Sequence, residues 1–200
     1  MNMEDKMVKL AVNGGINFGS KLTAKQLITL ADYMDEDQEL ELTTFQQLYL
    51  DIPESRLEEA KTAFETAGLH WYPVGNYVKS LRTCNFCKGA EEEGMPVAAK
   101  LNERIKGKPV PFPLKVAYTG CPNACGEPLV NDIGIIKMKD AYDLFIGGRA
   151  KGKNAQIGQL FLESLQPEDL YQAVEKIIAV YAENGKKTRV FCEVFEQVRS

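Results

Sequence analysis

The chain has 200 residues, of which 44% are hydrophobic and 26% are charged, and its formal net charge is -4. A sequence pI near 5.2 and a mean hydropathy of -0.26 give no overall attraction for a phosphate backbone. No apolar run approaches the roughly 18 to 20 residues that cross a bilayer. Nucleic acid and membrane are therefore not expected as partners. The polar N-terminus lacks the basic and apolar segments of a secretory signal, so we expect a cytoplasmic protein.

The first 75 residues predict a small α+β sandwich. Its predicted elements are, in chain order, a strand over 8–12, a helix over 23–34, an extended pair or one bent strand over 40–52, and a helix over 57–67. Thr23 is placed to cap the first helix, and Gly68 is placed to end the second in the left-handed conformation. The apolar face of the first helix is predicted to consist of Leu27, Leu30, Ala31 and Met34.

A boundary is predicted at Pro73, Gly75 and Asn76, which gives a second domain over 76–200. Its predicted elements are a short helix over 96–105, strands over 115–119, 133–136 and 144–146, and a final helix from Pro167 to Gly185. Proline is favoured in the first turn of a helix, and glycine is favoured just beyond its end.

Four of the five cysteines form two closely spaced pairs, Cys84 with Cys87 and Cys121 with Cys125. Four thiolates at C-x2-C and C-x3-C spacing can surround one tetrahedral zinc ion or one iron–sulfur cube. Structural zinc ribbons usually carry two C-x2-C pairs, so the spacing favours a cluster over zinc. Two incidental pairs of buried cysteines are the remaining interpretation.

The residues around the second pair resemble a known family. The segment 120–125, Gly-Cys-Pro-Asn-Ala-Cys, followed by Asn-Asp-Ile-Gly at 131–134 and Gly-Gly-Arg at 147–149, resembles the sirohaem and 4Fe-4S region of sulfite and nitrite reductases. The segment 42–46, Leu-Thr-Thr-Phe-Gln, is similar to that family's ferredoxin-like half-domain, and 167–198 is similar to its closing helices. The resemblance covers nearly the whole chain and indicates the small, single-repeat type.

This resemblance implies an α+β fold, with a ferredoxin-like α/β sandwich half-domain over 1–75 and a sirohaem and 4Fe-4S-binding α+β domain over 76–200. It implies a 4Fe-4S cluster on Cys84, Cys87, Cys121 and Cys125, with Cys125 bridging to the sirohaem iron. Arg82 and Lys115 are the implied catalytic residues that face the anion. The other implied cofactor-binding residues are Thr43, Gln46, Asn123, Gly147, Gly148 and Arg149.

Several positions depart from the family pattern. The first cysteine pair is usually C-x5-C, so Cys84 replaces a ligand expected at Glu93, and Glu93 as an oxygen ligand stays an open alternative. Phe45 and Pro113 stand where basic residues are expected. Since each buried charge-assisted contact to an anion is worth roughly 1.5 to 3 kcal/mol, these losses weaken anion binding unless other cations replace them. The candidates for replacement are Lys79, Lys88 and Arg149.

The leading hypothesis is an oxidoreductase that uses sirohaem and a 4Fe-4S cluster to reduce sulfite or nitrite, with electrons from a ferredoxin-like donor. The alternative is a cluster-binding electron-transfer or accessory protein without that activity, and a zinc-stabilised binding module is a third reading. A single repeat also suggests a homodimer that completes the site.

Two further residues are expected to have structural roles. We expect His70, the single histidine, to be partly buried, and Cys192 to pack in the last helix.

Overall fold

The computed structural model describes residues 5–16, 21–84, 87–185 and 191, with the backbone alone for 88–93. The chain divides into two compact units, Met1–Val74 and Gly75–Ser200. None of the described helices combines the length and the apolar character that a bilayer crossing requires.

The first unit contains a four-stranded antiparallel sheet with two helices. Its elements are β1 (Met7–Asn13), α1 (Ala24–Ala31), β2 (Glu41–Leu42), β3 (Leu48–Pro53), α2 (Leu57–Thr66) and β4 (His70–Pro73). The strand order is β2-β3-β1-β4, and every neighbouring pair is antiparallel. Connections of the type βαββαβ that give this order are those of the ferredoxin-like fold.

Helix α1 begins at the predicted cap but buries different residues from those expected. The Thr23 hydroxyl accepts the backbone N–H of Gln26 at 3.3 Å, and the Gln26 amide oxygen accepts the N–H of Thr23 at 2.9 Å. Gln26 also donates to the carbonyl of Gly68 at 3.0 Å, which turns the Gln26 and Leu30 face of the helix inward. The predicted burial of Leu27 is therefore wrong, since that side chain is 50% exposed.

The second unit is built on a five-stranded mixed sheet. Its elements are β5 (Arg82–Thr83), α3 (Lys88–Ile105), β6 (Val116–Thr119), β7 (Ile133–Met138), β8 (Ala141–Ile146), β9 (Gln159–Leu165) and α4 (Pro167–Asn184). The strands follow the order β5-β6-β7-β8-β9. The first three run parallel, and β7, β8 and β9 pair antiparallel.

Two elements of this unit differ from the sequence expectation. Helix α3 begins at Lys88 and carries Pro96 in its interior, so the predicted start at Pro96 is wrong. Proline marks helix starts more often than helix interiors, because it removes one backbone donor from the ladder. Strand β9 was not predicted, since it lies at the sheet edge and its side chains are mostly exposed, which removes the alternation that identifies a strand.

Helix α4 matches its prediction, with Pro167 in its first turn and Gly185 at its end. A group of charged side chains joins it to α3. Arg104 donates to Glu168 at 3.0 Å and to Glu175 at 2.8 Å, and Lys108 lies 3.4 Å from Glu175. The hydrogen bond from Arg104 is the main cause that lowers the pKa of Glu175 below its ordinary value.

We predict that Glu175→Gln removes a pH-dependent contribution to stability. Because the pKa of Glu175 is lowered by folding, its contribution is complete above the unfolded pKa and is lost as the pH falls through the lowered folded value. At neutral pH the variant should be less stable by at most about 1 kcal/mol. The difference should vanish in thermal unfolding at acid pH.

Glu183→Gln is the matched control, since Glu183 is exposed on the same helix. A difference between wild type and Glu175→Gln that is equal at neutral and acid pH would contradict the prediction.

Candidate functional site

Both cysteine pairs begin at one edge of the five-stranded sheet. Strands β5 and β6 are parallel, with Arg82 opposite Ala117 and Thr83 opposite Tyr118. The N–H of Cys84 donates to the carbonyl of Tyr118 at 3.0 Å, which continues the pairing by one residue. Cys84 directly follows β5, and Cys121 comes two residues after the end of β6. Because parallel strands end at the same edge, the sheet brings the two motifs to one place.

Gly126 allows the second cysteine loop to pack against the first. A Cβ atom at this position would lie 2.7 Å from the carbonyl oxygen of Tyr118 and 3.1 Å from Cβ of Cys84. The loop turns sharply before this point, where Ala124 has a φ of 54° and donates its N–H to the carbonyl of Cys121 at 3.3 Å. The backbone following Cys125 therefore touches the residue that begins the first pair.

The four thiols of the motifs are free, and their exposure differs. Cys84 is buried, Cys121 is partly buried, and Cys87 and Cys125 are exposed. Within the described part of the chain, no three side chains of His, Cys, Asp or Glu are grouped so that they could hold a metal ion. The structure thus places the pairs at a common edge without arranging the thiols around one point. Residues 85 and 86 and the side chain of Glu93 lie outside the description.

Two buried polar atoms beside the cysteines have no hydrogen-bond partner among the described residues. They are the hydroxyl oxygen of Thr119 and Nε of Arg82. Arg82 lies opposite Ala117, so the alternation of β6 places Thr119 on the same face of the sheet as Arg82. Sulfides and thiolates of an iron–sulfur cluster accept hydrogen bonds from such donors. Four thiols together with two unpaired donors fit the chemistry of that group.

Arg82 also forms an ion pair at this edge. Its Nη1 lies 2.8 Å from a carboxylate oxygen of Glu127, and the arginine side chain is only 18% exposed. Glu127 follows directly on Gly126 and adopts a left-handed conformation, with φ of 57°. The predicted anion-facing arginine is therefore held beside the second cysteine loop.

Lys115 and the glycine pair occupy the opposite edge of the sheet. The N–H of Lys115 donates to a carboxylate oxygen of Asp132 at 2.8 Å, and the N–H of Gly147 donates to the backbone carbonyl of Asp132 at 2.9 Å. These residues precede β6 and β7 and follow β8, whereas the cysteines follow β5 and β6. Four residues along β6 separate Lys115 from Thr119, a distance of about 13 Å.

The positive charges of Lys79, Arg82, Arg149 and Lys151 act on Lys115 or on Asp132, and we call these four residues together with Lys115 the basic cluster. Burial lowers the pKa of Lys115, Asp132 opposes this effect, and the charges of its cationic neighbours add to it. Burial raises the pKa of Asp132 to about 6, against a hydrogen bond from Lys115 and the charges of Lys115 and Arg149. The cluster includes Lys79 and Arg149, two of the cations expected to replace the missing ones.

The glycine–arginine segment is held mainly by backbone contacts. A Cβ atom on Gly148 would lie 2.5 Å from the carbonyl oxygens of Leu129 and Asn131, so a glycine is needed for this close approach of chains. Arg149 exchanges backbone hydrogen bonds with Gln156 at 2.8 and 2.9 Å. Cofactor binding by Gly147, Gly148 and Arg149 stays a prediction.

The remaining predicted site residues are placed as follows. Asn123 is exposed in the second cysteine loop. Thr43 and Gln46 belong to the first unit, where the Thr43 hydroxyl accepts the N–H of Phe45 at 3.3 Å, and their part in cofactor binding also stays a prediction. The side chain of Lys88 and all of Cys192 lie outside the described residues. His70 is exposed, so its predicted partial burial is wrong.

Sequence reasoning gave no role to Thr119 or Asp132, although both lie in or beside the quoted motifs. Each is a polar residue at the end of a buried strand, where a side chain meets a ligand more often than it meets the core. Their importance depends on which strands are neighbours, and single-sequence patterns do not contain that information.

Comparison with known proteins identifies the family and the fold of the chain. The family described as "Nitrite and sulphite reductase 4Fe-4S domain" matches residues 77–191. A cobalt-factor III methyltransferase from Priestia megaterium is 33% identical over 98% of this chain and 36% of its own length. A ferredoxin--nitrite reductase from Synechococcus elongatus is 27% identical over 79% of this chain and 33% of its own length. The chain thus spans about a third of the length of these two curated relatives.

A solved structure of dissimilatory sulfite reductase I has the same fold. It superposes with a TM-score of 0.72 at 15% identity and covers 96% of this chain and 66% of the solved one. Identity this low supports a statement about the fold alone. The predicted α+β fold class is confirmed.

We predict that Thr119→Val stabilises the cofactor-free protein by about 1 kcal/mol, because it removes a buried hydroxyl without a described partner and preserves the side-chain shape. Thermal or chemical unfolding of the metal-free protein measures the change. Thr83→Val is the matched control, since Thr83 is equally buried on the adjacent strand and its hydroxyl is not among the buried atoms without a hydrogen-bond partner, so its replacement should destabilise the protein. Equal destabilisation by both substitutions would contradict this account.

Proposed function

Because the chain belongs to the family of the nitrite and sulphite reductase 4Fe-4S domain, we propose that it is an oxidoreductase that reduces a small oxyanion, sulfite or nitrite. The proposed centre is one 4Fe-4S cluster on Cys84, Cys87, Cys121 and Cys125, with sirohaem beside it. The observation that carries this proposal is the meeting of both cysteine pairs at the carboxyl edge of β5 and β6.

When bound, the cluster and sirohaem supply one-electron transfer and an open iron position for the anion. The chain supplies the ligands. Cys84 is buried at the end of β5 and would hold the inner side of the cluster, whereas the exposed Cys125 is free to bridge towards sirohaem. Thr119 and Nε of Arg82 would donate hydrogen bonds to sulfur at the buried side.

The basic cluster would neutralise the anion and the carboxylates of sirohaem. Arg82, Lys115 and Thr119 share one face of the sheet by the alternation of β5 and β6. One face of the sheet therefore extends from the edge that carries the cysteines, here called the thiol edge, to the opposite edge that carries Lys115, here called the basic edge. The two edges are about 13 Å apart. Lys79, Arg149 and Lys151 add positive charge that offsets the basic residues replaced by Phe45 and Pro113.

A second candidate is a cluster-binding electron-transfer or accessory protein that does not reduce sulfite or nitrite. The relative that matches 98% of the chain is named for methyl transfer and not for reduction. Phe45 is buried in the first unit, and Arg82 is already paired with Glu127 at 2.8 Å, so one expected cation is missing and another is engaged. These observations favour a protein with weak anion binding.

The proposed electron donor is a ferredoxin-like protein, as the name of the nitrite reductase from Synechococcus elongatus suggests for that relative. We also propose a cytoplasmic location and a homodimer in which a second copy completes the haem pocket. Sedimentation of the cofactor-loaded protein tests the dimer, because a species of 22.3 kDa that retains both cofactors would exclude it.

We predict that Cys121→Ser abolishes most cluster binding, because the hydroxyl of serine is a harder and weaker ligand for cluster iron than a thiolate. Protein purified without oxygen from a host that makes sirohaem should lose most of its iron and acid-labile sulfide. Cys192→Ser is the matched control, since Cys192 lies outside both pairs and its replacement should leave the iron content unchanged. Full iron and sulfide content in Cys121→Ser would refute the proposed ligand set.

The absorption spectrum of the same wild-type sample separates the two candidates. A Soret band that accompanies the cluster absorption supports sirohaem and oxyanion reduction. A cluster spectrum without a Soret band, from the same sirohaem-producing host, would contradict the reductase and leave the electron-transfer candidate.

A further inference from the structure

Asp132 is the acidic residue at the centre of the basic cluster, and three backbone contacts fix its position. Its carboxylate accepts the N–H of Lys115 at 2.8 Å, and its carbonyl accepts the N–H of Gly147 at 2.9 Å. The next residue, Ile133, donates its N–H to the carbonyl of Lys115 at 3.1 Å. Strands β6, β7 and β8 therefore define where this carboxylate lies.

The charges around Asp132 and Lys115 oppose one another. The positive charges of Lys115 and Arg149 favour the ionised carboxylate of Asp132. The negative charge of Asp132 favours the ammonium form of Lys115, whereas the positive charges of Lys79, Arg82 and Lys151 disfavour it. Burial and these cations favour the neutral amine of Lys115, and Asp132 favours its charged form.

We propose that Asp132 is a positioning residue that holds Lys115 at the start of β6 and limits the anion affinity of the basic cluster until it takes up a proton. This inference deepens the proposed function and rests on it for the identity of the anion. Asp132 does not touch the anion in this account; it acts through Lys115 and through its own charge.

Two limbs of the pH profile for anion binding follow. As the pH falls through about 6, Asp132 becomes neutral, the basic cluster gains one unit of positive charge, and anion affinity rises. As the pH rises through the lowered pKa of Lys115, the ammonium group loses its proton and anion affinity falls. Asp132 controls the acid limb directly and the alkaline limb through Lys115.

Asp132→Asn tests this role, because asparagine keeps an oxygen that accepts the N–H of Lys115 but carries no charge. Asp143→Asn is the matched control, since Asp143 also accepts a backbone N–H, from Ser164 at 2.9 Å, towards the other end of β8. The protein is used as purified without oxygen. Nitrite is the probe, because its charge is constant over the titration, and the NMR signals of Lys115 report both nitrite binding and the ionisation of the lysine.

In wild type and Asp143→Asn, nitrite affinity should rise below about pH 6. Asp132→Asn should lose this acid limb, bind nitrite about threefold to tenfold more tightly at neutral pH, and titrate Lys115 at lower pH than wild type does. Asp132→Glu should restore the acid limb. An unchanged pH profile and an unchanged titration of Lys115 in Asp132→Asn would overturn the proposal.

If Asp132→Asn does not fold, Lys115→Gln provides a second test. This variant should lose the alkaline limb of the pH profile and keep the acid limb. Loss of both limbs would overturn the assignment of the acid limb to Asp132. Iron, sulfide and Soret absorption are measured on the same samples. Their absence refutes the proposed function, whereas their presence with an unchanged pH profile refutes this inference alone.

Discussion

The parallel pairing of β5, β6 and β7 determines where the cysteine pairs, Arg82 and Lys115 lie in the second unit. Parallel strands end at one edge, so Cys84 and Cys121 emerge side by side although a long helix separates them in the sequence. The same register places Arg82, Lys115 and Thr119 on one face. A shift of one residue between β5 and β6 would turn the arginine to the other face and separate it from the lysine.

Close approaches of the backbone make this arrangement specific. Gly126 brings the second cysteine loop against Cys84, and Gly134 lies where a Cβ atom would meet the carbonyl oxygen of Pro128 at 2.3 Å. The segment between β6 and β7 therefore packs against the sheet as it runs back from the thiol edge to the basic edge, where β7 begins. Charge balance at the second edge depends on Asp132, a carboxylate whose cost of burial is only partly offset by the opposite charges of Lys115 and Arg149. The same sheet thus determines both the packing of the cysteine loops at one edge and the charges around Asp132 at the other.

Local signals in the sequence predicted the parts of this structure that depend on local interactions. The cap at Thr23, the helix from Pro167, and the family resemblance of the cysteine segments were all readable from short patterns. The burial of Gln26 in place of Leu27 was not readable, because it depends on a hydrogen bond to Gly68, which is distant in the sequence. The separation of the thiols from Lys115, and the roles of Thr119 and Asp132, required the strand register, which spacing does not encode.

The central claim is that the edge formed by β5 and β6 holds an iron–sulfur cluster. Counts of iron and acid-labile sulfide per chain, made on protein purified without oxygen, test it most directly. The account predicts at least about four irons and about four sulfides per chain, with about one additional iron when sirohaem is present. Protein that contains zinc, or that contains neither iron nor sulfide, would contradict it.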